Sequence, residues 1–173
     1  VEDDRKELAM TTEVWDLDAR VRLLEEEYRE MRNIEGIRRV KYKYWRCLDT
    51  KAFDELADCF TQDAVADYGP RIKLQGRAAI LDFLRQTMAR FTCVHHGHNP
   101  EIDITSEDTA RGTWALYNYM IDNRASRGFR IGGFYYDEYA KEDGQWRIRS
   151  TREVNLFRET WDRESRQEPE RAP

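Results

Sequence analysis

All three histidines of the chain fall in one short window, His95-His96-Gly97-His98. Clustered imidazoles first suggest a metal centre, because zinc, iron and copper favour nitrogen ligands. Strand alternation opposes that idea: His96 and His98 would face one side, and His95 with Gly97 the other. No HExxH segment or adjacent carboxylate pair completes a ligand set, so no metal is expected. What remains is acid–base chemistry, in which a neutral imidazole accepts a proton near neutral pH and returns it. His95 is the candidate, with Gly97 on its face expected to leave space beside the ring. Such a base needs a carboxylate to select its tautomer and balance the imidazolium. Spacing alone does not choose one among 34 acidic residues. From the strand alone, a plain hydrogen-bonded core histidine is the preferred reading.

Tyr44 and Asp49 form a second suggestive pair, five residues apart at the end of an amphipathic stretch. An acid at that point commonly caps the next helix. If it points inward instead, it joins Tyr44 in a partly apolar chamber, to which Tyr68 adds a second phenol. That chamber suits one reaction type. A phenol O–H stabilises a carbonyl oxygen as it becomes an enolate, while His95 removes the neighbouring proton. No GxGxxG or Walker loop is present, so no nucleotide or phosphate cofactor is expected. Gly132-Gly133 lies within a strand pattern and reads as close backbone approach or curvature.

These residues must be positioned by helices that precede a run of strands. Val14, Leu17, Val21, Leu24, Tyr28 and Met31 recur at spacings of three and four, as a helical arm that packs on its own domain or a neighbouring subunit. Asn33 reads as a break or new cap, after which Ile34, Ile37, Val40, Tyr44 and Leu48 form a second stretch. A short helix follows over 52–60, a strand pair over 64–68 and 72–74, and a helix over 77–88. Four long strands are expected over 92–104, 109–123, 129–141 and 145–157, with the turn signals Ser106-Glu107-Asp108 and Glu142-Asp143-Gly144. Helices followed by a strand meander define an α+β layer fold. The expected organisation is a flexible segment at 1–12, one domain at 13–157 with its arm at 13–32, and a charged tail at 158–173.

A net charge of -5, with Arg interleaved among acids, argues against nucleic acid or an anionic membrane as partner. The apolar runs are too short for a membrane span. The charged N-terminus lacks a leader-like apolar region. Cys47, Cys59 and Cys93 are scattered and odd in number, consistent with free thiols in a reducing, cytoplasmic setting.

Five segments, in order, carry a resemblance: Ile34-Glu35-Gly36-Ile37; Lys43-Tyr44-Trp45-Arg46-Cys47-Leu48-Asp49; His95-His96-Gly97-His98-Asn99-Pro100-Glu101-Ile102; Gly132-Gly133-Phe134-Tyr135; and Asp143-Gly144-Gln145-Trp146. The chain resembles the SnoaL-like branch of the nuclear transport factor 2-like superfamily, and within it the bile acid 7α-dehydratases. The resemblance implies a cone-shaped α+β barrel, with a strongly bent antiparallel sheet wrapped on N-terminal helices. It implies no metal and no organic cofactor, an apolar small-molecule substrate, and a homo-oligomer, with a trimer favoured. It assigns His95 as catalytic base, Asp49 as its partner, and Tyr44 and Tyr68 as pocket tyrosines. Asn118 and Asn155 stand where those dehydratases carry an acid and an arginine, at positions expected to touch substrate. The activity it implies is a cofactor-independent dehydratase, with an isomerase, a cyclase or a non-catalytic binding module as alternatives.

Overall fold

The computed structural model describes the backbone of residues 2–163 and the side chains of residues 17–163. The chain divides into two compact units, Val1–Glu35 and Gly36–Pro173. The elements in order are α1 (Glu2–Thr50), α2 (Phe53–Leu56), a 3-10 turn (Ala57–Cys59), β1 (Phe60–Asp67), β2 (Lys73–Gln75), α3 (Arg77–Met88), β3 (Phe91–Ile104), β4 (Thr109–Asp122), β5 (Arg127–Glu142) and β6 (Gln145–Asp162).

Helix α1 passes through Asn33 without interruption, so the expected break is absent. One Asn costs a helix interior only about 0.7 kcal/mol relative to Ala, too little to end a helix whose flanks favour it. The helix starts at Glu2. In the second unit its buried positions are Ile37, Lys41, Tyr44, Trp45, Cys47 and Leu48, a stripe at helical period. All but Lys41 join one cluster with Phe60, Trp114, Tyr135, Tyr139 and Ile148 of the sheet.

The six strands form one curved, open sheet in the order β2-β1-β6-β5-β4-β3. All neighbours are antiparallel except β1 and β6, which run parallel. Strand β4 buries Ala110, Gly112, Trp114, Leu116, Asn118, Met120 and Asp122 in strict alternation, which fixes the face that looks inward. A second apolar cluster, Cys93, Met120, Phe129 and Ile131, fills the far end of that face, and Met88 packs against both clusters.

Residues 158–162 continue β6 instead of beginning a tail. They pair with the first residues of β5 in a register that sets Arg127 opposite Asp162 and Arg130 opposite Glu159. The Arg127 Nε lies 3.1 Å from Asp162. Opposite charges facing across a ladder support a strand that hydropathy alone does not reveal. The remainder of the expected tail, 164–173, lies outside the described residues.

Candidate functional site

Helix α1 ends in a way that aims Asp49 at β3. Lys51 takes a left-handed φ of 63°, and the Ala52 N–H donates to the Cys47 carbonyl at 3.0 Å. This is the six-to-one bond of a Schellman stop, so Asp49 sits in the last helical turn. It is not a cap for α2, whose start at Ala52 has no side-chain cap bond.

The Asp49 carboxylate holds His95 twice. Oδ2 accepts the His95 backbone N–H at 3.0 Å, and Oδ1 lies 2.6 Å from the ring Nδ1. A carboxylate only accepts, so Nδ1 carries a proton, and in the neutral ring Nε2 then presents the lone pair. Asn118, opposite His95 in the β3–β4 ladder, places its Nδ2 3.0 Å from that Nε2. The His95 side chain is 4% exposed and that of Asp49 22%. Burial works to raise the Asp49 carboxyl, but the bonds and charge of His95 outweigh it and hold the group below the usual carboxylate range.

The row Asp49–His95–Asn118 lies at the seam of the two apolar clusters. Leu48 and Leu116 belong to one, while Cys93 and Met120, two residues from His95 and Asn118, belong to the other. Asn118 Oδ1 is buried without a hydrogen-bond partner among the described residues.

The space expected beside the ring at Gly97 is not open. A Cβ there would stand 1.8 Å from the Trp45 Cη2 atom, because the indole lies across the strand at that point. Gly97 therefore admits Trp45, which in turn packs edge-on against Trp114 at 5.4 Å. Gly132 and Gly133 do mark close approach. Cβ atoms there would lie 2.1 Å from the Phe157 ring and 2.2 Å from the Val154 carbonyl oxygen, at a register shift between β5 and β6.

Tyr44 and Tyr68 form a separate pair, with hydroxyls 3.1 Å apart. Burial pushes both phenols up, Tyr44 strongly, so both stay protonated. Asn155 lies exposed on β6 opposite Gly133, and no described hydrogen bond ties it to either group.

Among the described residues, Asp49, Cys93 and His95 are three donors whose ligand atoms lie within 4.8 Å of one another. They make a poor cation site. The Lys51 ammonium stands 3.3 Å from the Cys93 sulfur, and burial pushes that thiol up to about 11. His96 and His98 are exposed on the opposite face, as strand alternation predicts.

Sequence reasoning missed a buried ionic network below the tyrosines. Lys41 Nζ lies 2.7 Å from Asp137 Oδ2, and both side chains are fully buried. Tyr139 and Thr151 each donate to Asp137 at 2.7 Å, and Trp114 Nε1 donates to Tyr139 at 2.9 Å. The ammonium also sits 3.8 Å from the centroid of the Tyr135 ring. Lys41 falls four residues from both Ile37 and Trp45, so helical spacing was the available signal; its charge disguised it.

An N-terminal helix, a short helical layer and a bent six-stranded sheet holding a buried His–Asp pair define a fold of the nuclear transport factor 2-like, cystatin-like class. The SnoaL-like domain family matches residues 29–152, and the chain belongs to that family. Among solved structures, it is similar to a candidate scytalone dehydratase from Novosphingobium aromaticivorans DSM 12444. The TM-score is 0.74 at 24% identity, covering 82% of this chain and 99% of that one. A hexachlorocyclohexane dehydrochlorinase, LinA type 2, gives a TM-score of 0.76 at 16% identity over 84% of this chain and 99% of the other. A cystatin-like-fold protein from Caulobacter vibrioides gives 0.64 at 14% identity over 72% and 89%. At these identities the likeness is one of fold. No helix among the described residues is long and apolar enough to cross a membrane.

Proposed function

We propose that the chain is a cofactor-independent lyase, a dehydratase, acting on a hydroxylated and largely apolar small molecule of steroid, polyketide or aromatic-derived type. The observation that carries this reading is the doubly held His95–Asp49 pair, with Nδ1 bonded at 2.6 Å and Nε2 left as the basic atom. In this reading Nε2 removes the proton next to a carbonyl or its vinylogue, and Asp49 balances the imidazolium. The imidazolium then returns its proton to the departing hydroxide, so the sum is loss of water. Tyr44 and Tyr68, kept neutral by burial, polarise the carbonyl oxygen. Asn118 Oδ1, buried without a partner among the described residues, accepts a substrate O–H, and Asn155 contacts the substrate from β6.

Two related proteins support the class of reaction, since one is named as a candidate scytalone dehydratase and another as a dehydrochlorinase. Eliminations of water and of hydrogen chloride share the first proton abstraction. The resemblance to bile acid 7α-dehydratases points the same way, while Asn118 and Asn155 separate this chain from their substrate. An isomerase or cyclase would use the same abstraction and differ only in product mass.

A non-catalytic binding module is favoured by one observation: the Nε2 lone pair is already engaged by the Asn118 amide at 3.0 Å. A panel of hydroxylated ketones, assayed by product mass, separates these readings. The lyase reading expects loss of water by the unmodified chain and a rate lower by about 10²–10⁴ in His95→Ala and Asp49→Asn. Bound ligand with no turnover of any panel member supports the binding module instead.

A further inference from the structure

The arm helix carries an apolar stripe with no use in the chemistry above. Leu17, Val21, Leu24, Tyr28 and Met31 are each more than half exposed. Met10 and Val14 continue the same three-and-four spacing within α1. In heptad terms Val14, Val21 and Tyr28 take the a positions, and Met10, Leu17, Leu24 and Met31 the d positions. Seven layers over these residues span about 30 Å of helix. The exposed part of that stripe, from Leu17 to Met31, is already a surface built to be covered.

We propose that the occupant is the arm of a second copy of this chain, joined as a parallel two-stranded coiled coil. Two features of the sequence fit that arrangement. The first is the core: valine at a with leucine at d, as in Val14-Leu17 and Val21-Leu24, is the pattern that favours two parallel strands over three. The second is charge. In a parallel pair each g residue faces the e residue five places on in the other strand. Arg20 then meets Glu25 of the second copy, and Glu27 meets its Arg32. Only Glu13 against Asp18 opposes. Leu23, also exposed, lies off the seam.

Sedimentation equilibrium of the full chain over a micromolar range tests this, with circular dichroism as the check of folding. Leu17→Lys with Leu24→Lys is expected to abolish one dimerisation step while the helix and sheet signals persist. Arg20→Glu turns two attractive pairs into repulsive ones and is expected to weaken dimerisation about tenfold. Adding Glu25→Arg to Arg20→Glu is expected to recover it. Leu24→Cys under mild oxidation is expected to give a 24–24 cross-link that the unmodified chain, with its three buried thiols, does not form. An assembly state indifferent to Leu17→Lys with Leu24→Lys would overturn the proposal. So would an arm-dependent trimer, or a mixture of Val21→Cys and Leu24→Cys chains that cross-links 21 to 24 in preference to 24 to 24.

Discussion

The two oxygens of Asp49 divide their labour: one holds the backbone of His95 and the other holds its ring. This predicts a single tautomer. Nitrogen NMR of the imidazoles should show His95 protonated at Nδ1 and bare at Nε2, and Asp49→Asn should lose that preference. Because His95 depresses the Asp49 carboxyl against the effect of burial, the folded state binds that proton less readily than the unfolded chain. The ionised Asp49 carboxylate, bonded to His95, therefore stabilises the fold above the ordinary carboxylate pKa. That contribution is lost as pH falls from there through the depressed folded value. Urea midpoints measured across this acid range should fall more steeply for the unmodified chain than for Asp49→Asn. His95 was singled out because Gly97 on its face was expected to leave space beside the ring, a premise that the Trp45 indole overturns. Its partner was not readable from residue patterns alone, since 46 positions separate the two and Lys51 replaces the glycine that usually announces a helix stop. Only the likeness of the segments around Asp49 pointed to it. Asn118 was placed in the site, but its bond to Nε2 depends on the β3–β4 register, which no local pattern reveals.

Helix α1 and strand β3 meet where Trp45 crosses Gly97, and this contact sets how close Asp49 comes to His95. A methyl group at Gly97 would overlap the indole, so Gly97→Ala should destabilise the fold by about 1–3 kcal/mol. The same variant should perturb the His95 ring signals even where the protein stays folded. The strands themselves were readable: alternation and turn residues placed all four long ones within five residues of their ends. Two features were not. The parallel pairing of β1 with β6 joins segments about 85 residues apart and has no turn to signal it. Residues 158–162 look like a solvated tail until Arg127 and Arg130 of β5 are set across from Asp162 and Glu159.

Within the Gly36–Pro173 unit, the largest departure from an apolar core is the pair Lys41–Asp137, buried together, with Tyr139 and Thr151 donating to the Asp137 carboxylate. Burial lowers Lys41 while Asp137 acts to raise it, with the lowering prevailing. Removing one member strands the other, so Lys41→Met should cost about 3–5 kcal/mol in urea unfolding. Lys41→Met combined with Asp137→Asn should recover a large part of that loss, because coupled sites do not add. This network anchors the helix under Tyr44 and keeps the site's scaffold in register. The proton chemistry assigned to that scaffold is tested most directly by product mass. The unmodified chain, His95→Ala and Asp49→Asn are each given the same hydroxylated ketones, with ligand binding measured in parallel. Loss of water by the unmodified chain, with both variants binding yet slowed by about 10²–10⁴, is the predicted result. Unimpaired dehydration by either variant would contradict it.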